Sequence, residues 1–149
     1  MFIRIIIAFT VLLSSYSVLS QEQLSNSEKL GYFHPVKVKF VQSKIDGMDL
    51  EYFSLSFDNA EYDHIVDFGV IHLYKEDVDK FIEVMKKAID VIGTGVSQRM
   101  QIKGDDYIQV YDFSKKIYLY ADKDHNKISI KKATLLIELL EAEKHRFTL

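Results

Sequence analysis

The chain has 149 residues, of which 48% are hydrophobic and 28% charged, a composition that suits one globular domain and argues against wholesale disorder. Its net charge is −3, so it has no general electrostatic attraction for nucleic acid, which requires clustered positive charge. The chain contains no cysteine, which excludes disulfides, thiol catalysis and thiolate metal sites.

The first twenty residues have the charge and hydropathy pattern of a secretory signal peptide. A positive start at Arg4 precedes an apolar run over residues 5–13, and the small residue Ser20 comes just before a polar segment. The run is about 9 residues long, well short of the roughly 20 that cross a bilayer as a helix. We therefore expect residues 1–20 to be removed and the rest to be secreted or periplasmic in a bacterium, with no membrane anchor after cleavage.

Residues 21–31 are polar, and we interpret them as a loose lead-in to a single α+β domain over residues 32–149. Two early segments of that domain, residues 36–40 and 52–57, alternate apolar and polar side chains. A period of two is typical of strands with one wet face. Asp46-Gly47 lies between the two segments and predicts a turn.

A longer apolar segment, residues 62–74, predicts another strand, and Gly69 within it predicts a bulge or a bend. The clearest helix of the chain follows, because six apolar residues recur at spacings of three and four. These residues are Val78, Phe81, Ile82, Met85, Ile89 and Ile92. Gly93 is placed to end this helix in a left-handed conformation.

The second half of the chain has the same order of elements. Short alternating segments at residues 107–111 and 117–121, and a last strand around Ile128, predict a second β-rich stretch. A helix from about Lys131 closes the chain. Its apolar stripe contains four inner residues, widened by two more leucines: Ala133, Leu136, Ile137 and Leu140, then Leu135 and Leu139.

The order of strands, long helix, strands and helix predicts an α+β fold with antiparallel sheets. Residues 71–75 resemble residues 128–132 at an offset of 57, and Val78 then falls opposite Leu135. Tandem duplication is one interpretation of this likeness, and chance similarity of two strand–helix junctions is the other. In element order alone, a tandem plan resembles single-stranded nucleic-acid-binding proteins of the Whirly type, although no motif supports the resemblance.

The metal-binding motifs of the chain are incomplete. Residues 122–126 begin like a calcium-binding loop, but Lys127 stands where glycine is required and Ala133 where a bidentate glutamate is required. We therefore interpret this segment as a polar turn. His64 and His72 would lie about 26 Å apart on one strand, too far to share a metal ion. The sequence thus predicts no metal site and no cofactor.

The catalytic motifs are incomplete as well. Residues 95–99 lack the final glycine of a nucleophile elbow. Asp105 and Asp106 are adjacent in a predicted turn, where their carboxylates point apart instead of facing one substrate bond. The sequence leaves open whether the chain is an enzyme, and it favours a role without catalysis.

Tyrosines are concentrated in the second β-rich stretch, at Tyr107, Tyr111, Tyr118 and Tyr120. On an exposed sheet face they would stack on sugars or bases or form a protein interface, whereas pairing across strands would only stabilise the sheet. Arg99, Lys115 and Lys116 are near them in sequence. We therefore name the four tyrosines as the candidate binding site.

These patterns predict a small exported protein without catalytic activity, which binds an unknown protein, small molecule or glycan through a tyrosine-bearing sheet face. Two alternatives stay open. One is a hydrolase-like enzyme whose site assembles from scattered histidine, aspartate and serine. The other is a single-stranded nucleic-acid-binding protein with tandem sheets, which the negative net charge and the export signal both disfavour.

Overall fold

The computed structural model describes residues 25–58, 60 and 68–148. Within these ranges the chain forms two four-stranded antiparallel sheets, each followed by a helix, which confirms the predicted α+β class. The predicted signal peptide lies outside the described residues. So does most of the first half of the strand predicted over residues 62–74, together with Asn59.

The strands of each sheet are ordered as they occur in the chain. The first sheet contains β1 (Ser25–Phe33), β2 (Val36–Ile45), β3 (Met48–Asp58) and β4 (Phe68–Leu73). Helix α1 (Lys75–Val91) follows it. The second sheet contains β5 (Gln98–Lys103), β6 (Asp106–Val110), β7 (Lys116–Ala121) and β8 (Asp124–Ser129). Helix α2 (Ile130–Glu143) and a short 3-10 helix (Lys144–Arg146) complete the described chain.

The first strand is a correction to the sequence-based interpretation. Residues 25–31, which we expected to be part of a loose lead-in, form most of β1 and pair with β2. β1 is an edge strand whose side chains are mostly exposed, so its sequence shows no alternation of apolar and polar residues. Backbone hydrogen bonds to β2 stabilise this strand. Such bonds do not depend on side-chain hydropathy, so the pattern of apolar and polar residues does not predict them.

Each helix packs against strands of the other half of the chain. Although α1 follows the first sheet, it contacts chiefly β5 and β6 of the second. Helix α2 follows the second sheet and contacts its strands β7 and β8, and it also contacts β1 of the first sheet. The two helices also contact each other, so the buried side chains of both halves form one hydrophobic core.

The two helices bury equivalent positions. Val78, Phe81, Ile82 and Met85 of α1 correspond to Ala133, Leu136, Ile137 and Leu140 of α2. This correspondence has an offset of 55 residues, not the 57 of the sequence comparison. Leu135, expected to widen the apolar stripe, is 42% exposed, whereas Leu139 packs against the edge of the core.

Two of the predicted chain reversals are confirmed. Asp46 and Gly47 form the turn that joins β2 to β3, whose residues pair in register on both sides of it. Gly93 follows the end of α1 with a φ of 83°, the left-handed conformation predicted for it.

Gly69 lies where the first sheet meets β7 of the second. The predicted bulge or bend is wrong for the described part of the strand, because β4 pairs with β3 without a register shift. At this glycine, β4 of the first sheet instead approaches β7 of the second sheet closely. A Cβ atom at position 69 would lie 2.7 Å from Cζ of Phe57 and 3.2 Å from Cβ of Ala121. The missing side chain therefore makes room for the buried Phe57 ring between the sheets.

We expect Gly69→Ala to lower the free energy of unfolding by about 1–3 kcal/mol, because the added methyl group must displace the Phe57 ring or separate the sheets. Urea unfolding followed by circular dichroism measures the change. Ser54→Ala, on the outward face of β3, is the control and should change stability by no more than about 0.5 kcal/mol. Combining Gly69→Ala with Phe57→Leu should cost less than the sum of the two single changes. A Gly69→Ala protein as stable as the wild type would contradict this account.

Candidate functional site

The four tyrosines named from the sequence lie together on the outward face of the second sheet. Ile108 and Val110 of β6, and Ile117 and Leu119 of β7, are buried in the core, so the residues between them point away from it. We call the residues at outward positions of β5–β8, with Tyr111 directly after β6, the tyrosine face. They are Arg99, Gln101, Tyr107, Gln109, Tyr111, Lys116, Tyr118, Tyr120, His125, Lys127 and Ser129.

A row of stacked groups crosses the tyrosine face. Strand register places Tyr107 opposite Tyr120, and Tyr120 opposite His125. The centroids of the Tyr107 and Tyr120 rings are 4.4 Å apart with 7° between their planes, and those of Tyr120 and His125 are 4.8 Å apart with 18°. Arg99 covers the other side of Tyr107, with its guanidinium carbon 3.6 Å from the ring centroid. Both faces of Tyr107 and of Tyr120 are thus covered, and the two rings present their edges to solvent.

Tyr111 connects this row to the other aromatic side chains. Its hydroxyl oxygen lies 3.0 Å from that of Tyr120, and its ring stands edge-on to Tyr118 at 5.0 Å. Phe113 stacks on Tyr111 with centroids 5.4 Å apart and is 80% exposed. Sequence reasoning did not name Phe113 as a candidate, and it is the ring of this group most open to a ligand. The sequence held no signal for it, because single exposed hydrophobic residues are common on protein surfaces, and only the stacking on Tyr111 connects Phe113 to the tyrosines.

The environment of Tyr120 disfavours its ionised form. Burial raises the pKa of the Tyr120 phenol above its ordinary value of 10.0, and the hydrogen bond with Tyr111 raises it further. The neighbouring phenols of Tyr107 and Tyr118 act in the same direction. The folded protein consequently holds this proton more tightly than the unfolded chain does. This contribution to stability is complete below pH 10 and is lost as the pH rises above it.

The tyrosine face carries positive charge and contains neither aspartate nor glutamate. Its three cations, Arg99, Lys116 and Lys127, are exposed. None of them forms an ion pair with another described residue. Three aspartates directly adjoin residues of the face in sequence: Asp106 and Asp124 at the first positions of β6 and β8, and Asp112 in the turn before β7. By strand alternation, Asp106 and Asp124 are not at outward positions. Uncompensated charge is therefore concentrated where the aromatic rings are.

The outward side of the first sheet has a smaller aromatic group. The Tyr52 ring centroid lies 4.7 Å from that of His72 and 5.6 Å from that of Tyr74. Burial lowers the pKa of His72, and the positive charge of Lys103 lowers it further. Two lysines of β2 are paired with carboxylates near the strand ends: Lys37 with Asp58 at 3.9 Å and Lys44 with Asp49 at 3.5 Å. The charge on this sheet is thus partly compensated.

A polar cavity of about 410 Å³ beside β8 contains the residue types that a hydrolase needs, but they have local roles. Ser129 is the N-cap of α2, where its hydroxyl accepts a hydrogen bond from the Lys132 backbone N–H. His34 is hydrogen-bonded through Nδ1 to the Tyr32 hydroxyl, at 2.7 Å. The described residues include no hydrogen bond between Ser129 and His34, the direct pairing that activates a nucleophile.

The buried carboxylate of Glu51 has a structural role. Its oxygens accept hydrogen bonds from Gln42 Nε2 at 2.9 Å, from the Thr148 N–H at 2.7 Å and from the Thr148 hydroxyl at 2.8 Å. Glu51 thereby holds the end of the described chain against β2 and β3. Buried carboxylates with full sets of donors are typical of stabilising contacts as well as of active sites.

The residues considered for metal binding do not form a described cluster. No group of three or more histidine, aspartate and glutamate side chains suited to a metal ion exists within residues 25–58, 60 and 68–148. The calcium-loop-like segment is a hairpin, since Asp122 and Lys123 form the turn and β8 begins at Asp124. His72 lies in the first-sheet aromatic group, and His64 lies outside the described residues.

Comparison with known proteins does not assign the chain to a family, because no family model, no curated protein and no solved structure matches it. No helix in the described part of the chain is long and apolar enough to cross a membrane.

We expect the stability of the wild type to fall as the pH rises above about 10, because unfolding releases the Tyr120 proton more readily. Tyr120→Phe keeps the stacked ring and removes the ionisable group, so its stability should fall less steeply. Some slope remains, since burial also raises the pKa of Tyr52. Urea unfolding at a series of pH values measures the slopes. Tyr32→Phe, at an exposed tyrosine of the first sheet, is the control, and equal slopes for Tyr120→Phe and the wild type would refute the assignment.

Proposed function

We propose that this protein is a non-catalytic binding module whose ligand docks on the tyrosine face. The observation that carries the proposal is the coincidence of four half-buried tyrosines, one open aromatic ring and three cations that form no ion pair with another described residue on a single sheet face. Helices α1 and α2 pack on the opposite side of the sheet, where the buried residues lie, so neither helix covers this face.

The stacking supports a binding role because it reduces the entropic cost of association. Tyr107 and Tyr120 are held between stacked groups on both sides, and His125 of the edge strand β8 is stacked on Tyr120, so these side chains lose little freedom when a ligand binds. Tyrosine combines a large apolar ring with a hydroxyl that donates and accepts hydrogen bonds, which is why binding surfaces are rich in it. Pairing across strands stabilises the sheet as well, and the two roles are compatible.

The hydrolase-like alternative has less support. The serine and histidine that share a cavity are engaged in a helix cap and in a tyrosine contact, and Glu51 has a full set of donors. We also propose that the protein acts after export, in the periplasm or outside the cell. The support for export is the sequence pattern of residues 1–20.

We test the binding role by nuclear magnetic resonance, titrating ¹⁵N-labelled protein recovered from expression of the full chain. Defined probes are cellohexaose, polygalacturonate, a twelve-residue thymidine oligonucleotide and a glutamate-rich peptide. At least one probe should shift amide resonances of β5–β8 at tyrosine-face residues. Phe113→Ser should lower the affinity for that probe by roughly two- to tenfold, since an aromatic contact is worth about 0.5–1.5 kcal/mol.

Tyr32→Ser, at an exposed tyrosine of the first sheet, is the matched control and should bind as the wild type does. Circular dichroism checks that both variants are folded. Shifts confined to another surface, or none with any probe, would overturn the proposal.

A further inference from the structure

We infer that the tyrosine face binds an acidic polysaccharide, a sugar polymer that carries carboxylate or sulfate groups. This inference rests on the proposed binding role and adds the chemical class of the ligand. Three properties of the face support it: the placement of its cations, the absence of aliphatic side chains, and the orientation of its rings.

The first property is that the three cations of the tyrosine face form no ion pair with another described residue, although the whole chain has more acidic than basic side chains. Arg99 stacks on the Tyr107 ring, but this contact leaves its charge without a carboxylate. With no aspartate or glutamate on the same face, these cations are available for anions of a ligand.

The three cations are spread across the sheet. Register aligns Arg99 of β5 with Gln109, Tyr118 and Lys127 of β8 in one row across the sheet. Three strand spacings separate the two ends of the row, about 14 Å between backbones. Lys116 lies two residues from Tyr118 along β7, away from this row. Lys116 and Lys127 are diagonal neighbours on β7 and β8, so one small anion can contact both, but it cannot also reach Arg99 at the other side of the sheet. A polymer with repeated acidic groups reaches all three.

The side chains between the cations suit hydroxyl-rich ligands better than protein partners. The tyrosine face has no aliphatic side chain, and protein interfaces have an apolar centre and few lysines. Gln109 Nε2 donates to the Val110 carbonyl at 2.9 Å, and Gln101 Nε2 donates to the Asp106 carbonyl at 3.2 Å. Their amide oxygens therefore remain as acceptors for sugar hydroxyls, beside the tyrosine hydroxyls.

Ring orientation argues against single-stranded nucleic acid. Bases bind such surfaces by stacking on open aromatic faces. The faces of Tyr107 and Tyr120 are already covered by Arg99, by each other and by His125. Phe113 offers one open face at the end of the sheet, which suits a single stacked sugar or base but not a series of bases.

The experiment compares polymers that share a backbone and differ in charge: polygalacturonate with its methyl ester, and dextran sulfate with dextran. Affinity electrophoresis of the full protein should show retardation by the two charged polymers and none by the neutral ones, with weaker retardation at higher salt. Thymidine oligonucleotide and polyglutamate serve as alternative polyanions and should bind more weakly than polygalacturonate.

The variant Arg99→Gln with Lys127→Gln should lose affinity for polygalacturonate by at least about tenfold. Lys80→Gln with Lys87→Gln is the matched control, because it removes the same charge from exposed, unpaired positions of α1. The control should bind within about twofold of the wild type. An equal loss in both double variants would mean that only net charge matters, and this would overturn the inference.

The outcomes also separate the inference from the proposed function. Equal binding of charged and neutral polysaccharides, or tighter binding of the oligonucleotide or polyglutamate, overturns the acidic-polysaccharide class. If Phe113→Ser lowers the affinity for the polymer that binds in such a case, the binding role of the tyrosine face stands. If no polymer is retarded and no probe shifts the resonances of the face, both are overturned.

Discussion

The packing of each helix against strands of the other half of the chain is the constraint on which the rest of the structure depends. Helix α1 covers β5 and β6 of the second sheet, and α2 covers β1 of the first sheet together with β7 and β8, so the two halves share one hydrophobic core. Gly69 matters for the same reason, since the Phe57 ring fills the space between the sheets only if position 69 has no side chain. Packing at this junction therefore determines how the outward faces are displayed.

Because both helices pack on the inward faces, no described helix covers the outward face of either sheet. On the second sheet, side chains from four neighbouring strands meet at distances that backbone register fixes. The result is a surface whose aromatic groups support one another and whose cations form no ion pair with another residue that the structure describes. A rigid scaffold with a preorganised face is a common basis for binding without catalysis.

The sequence predicted the elements well where one physical signal dominates. The alternation around Val38 and Leu55 and the stripe of α1 report burial directly, so strands and helix were predicted correctly. β1 was missed because an edge strand held by backbone bonds needs no apolar pattern. Leu135 was misassigned because its hydropathy is the same as that of the buried leucines. Which leucines are covered depends on how α2 is rotated about its axis relative to the elements that it packs against.

The candidate site was predicted in outline. The four tyrosines were found from composition and alternation, and they do share one face. Their partners Arg99, His125 and Phe113 could not be assigned, because the stack depends on which residues pair across β5 to β8. Sequence distance does not contain that register, since turns of different length join the strands.

The stacked row also has a spectroscopic consequence. The chain contains nine tyrosines and no tryptophan, so tyrosine dominates its intrinsic ultraviolet emission. Four of the nine lie on the tyrosine face, where the rings of Tyr107 and Tyr120 stack on each other and Tyr120 stacks on His125. A ligand that binds this face changes the surroundings of these four phenols, so the emission of the protein is an intrinsic optical reporter of binding there.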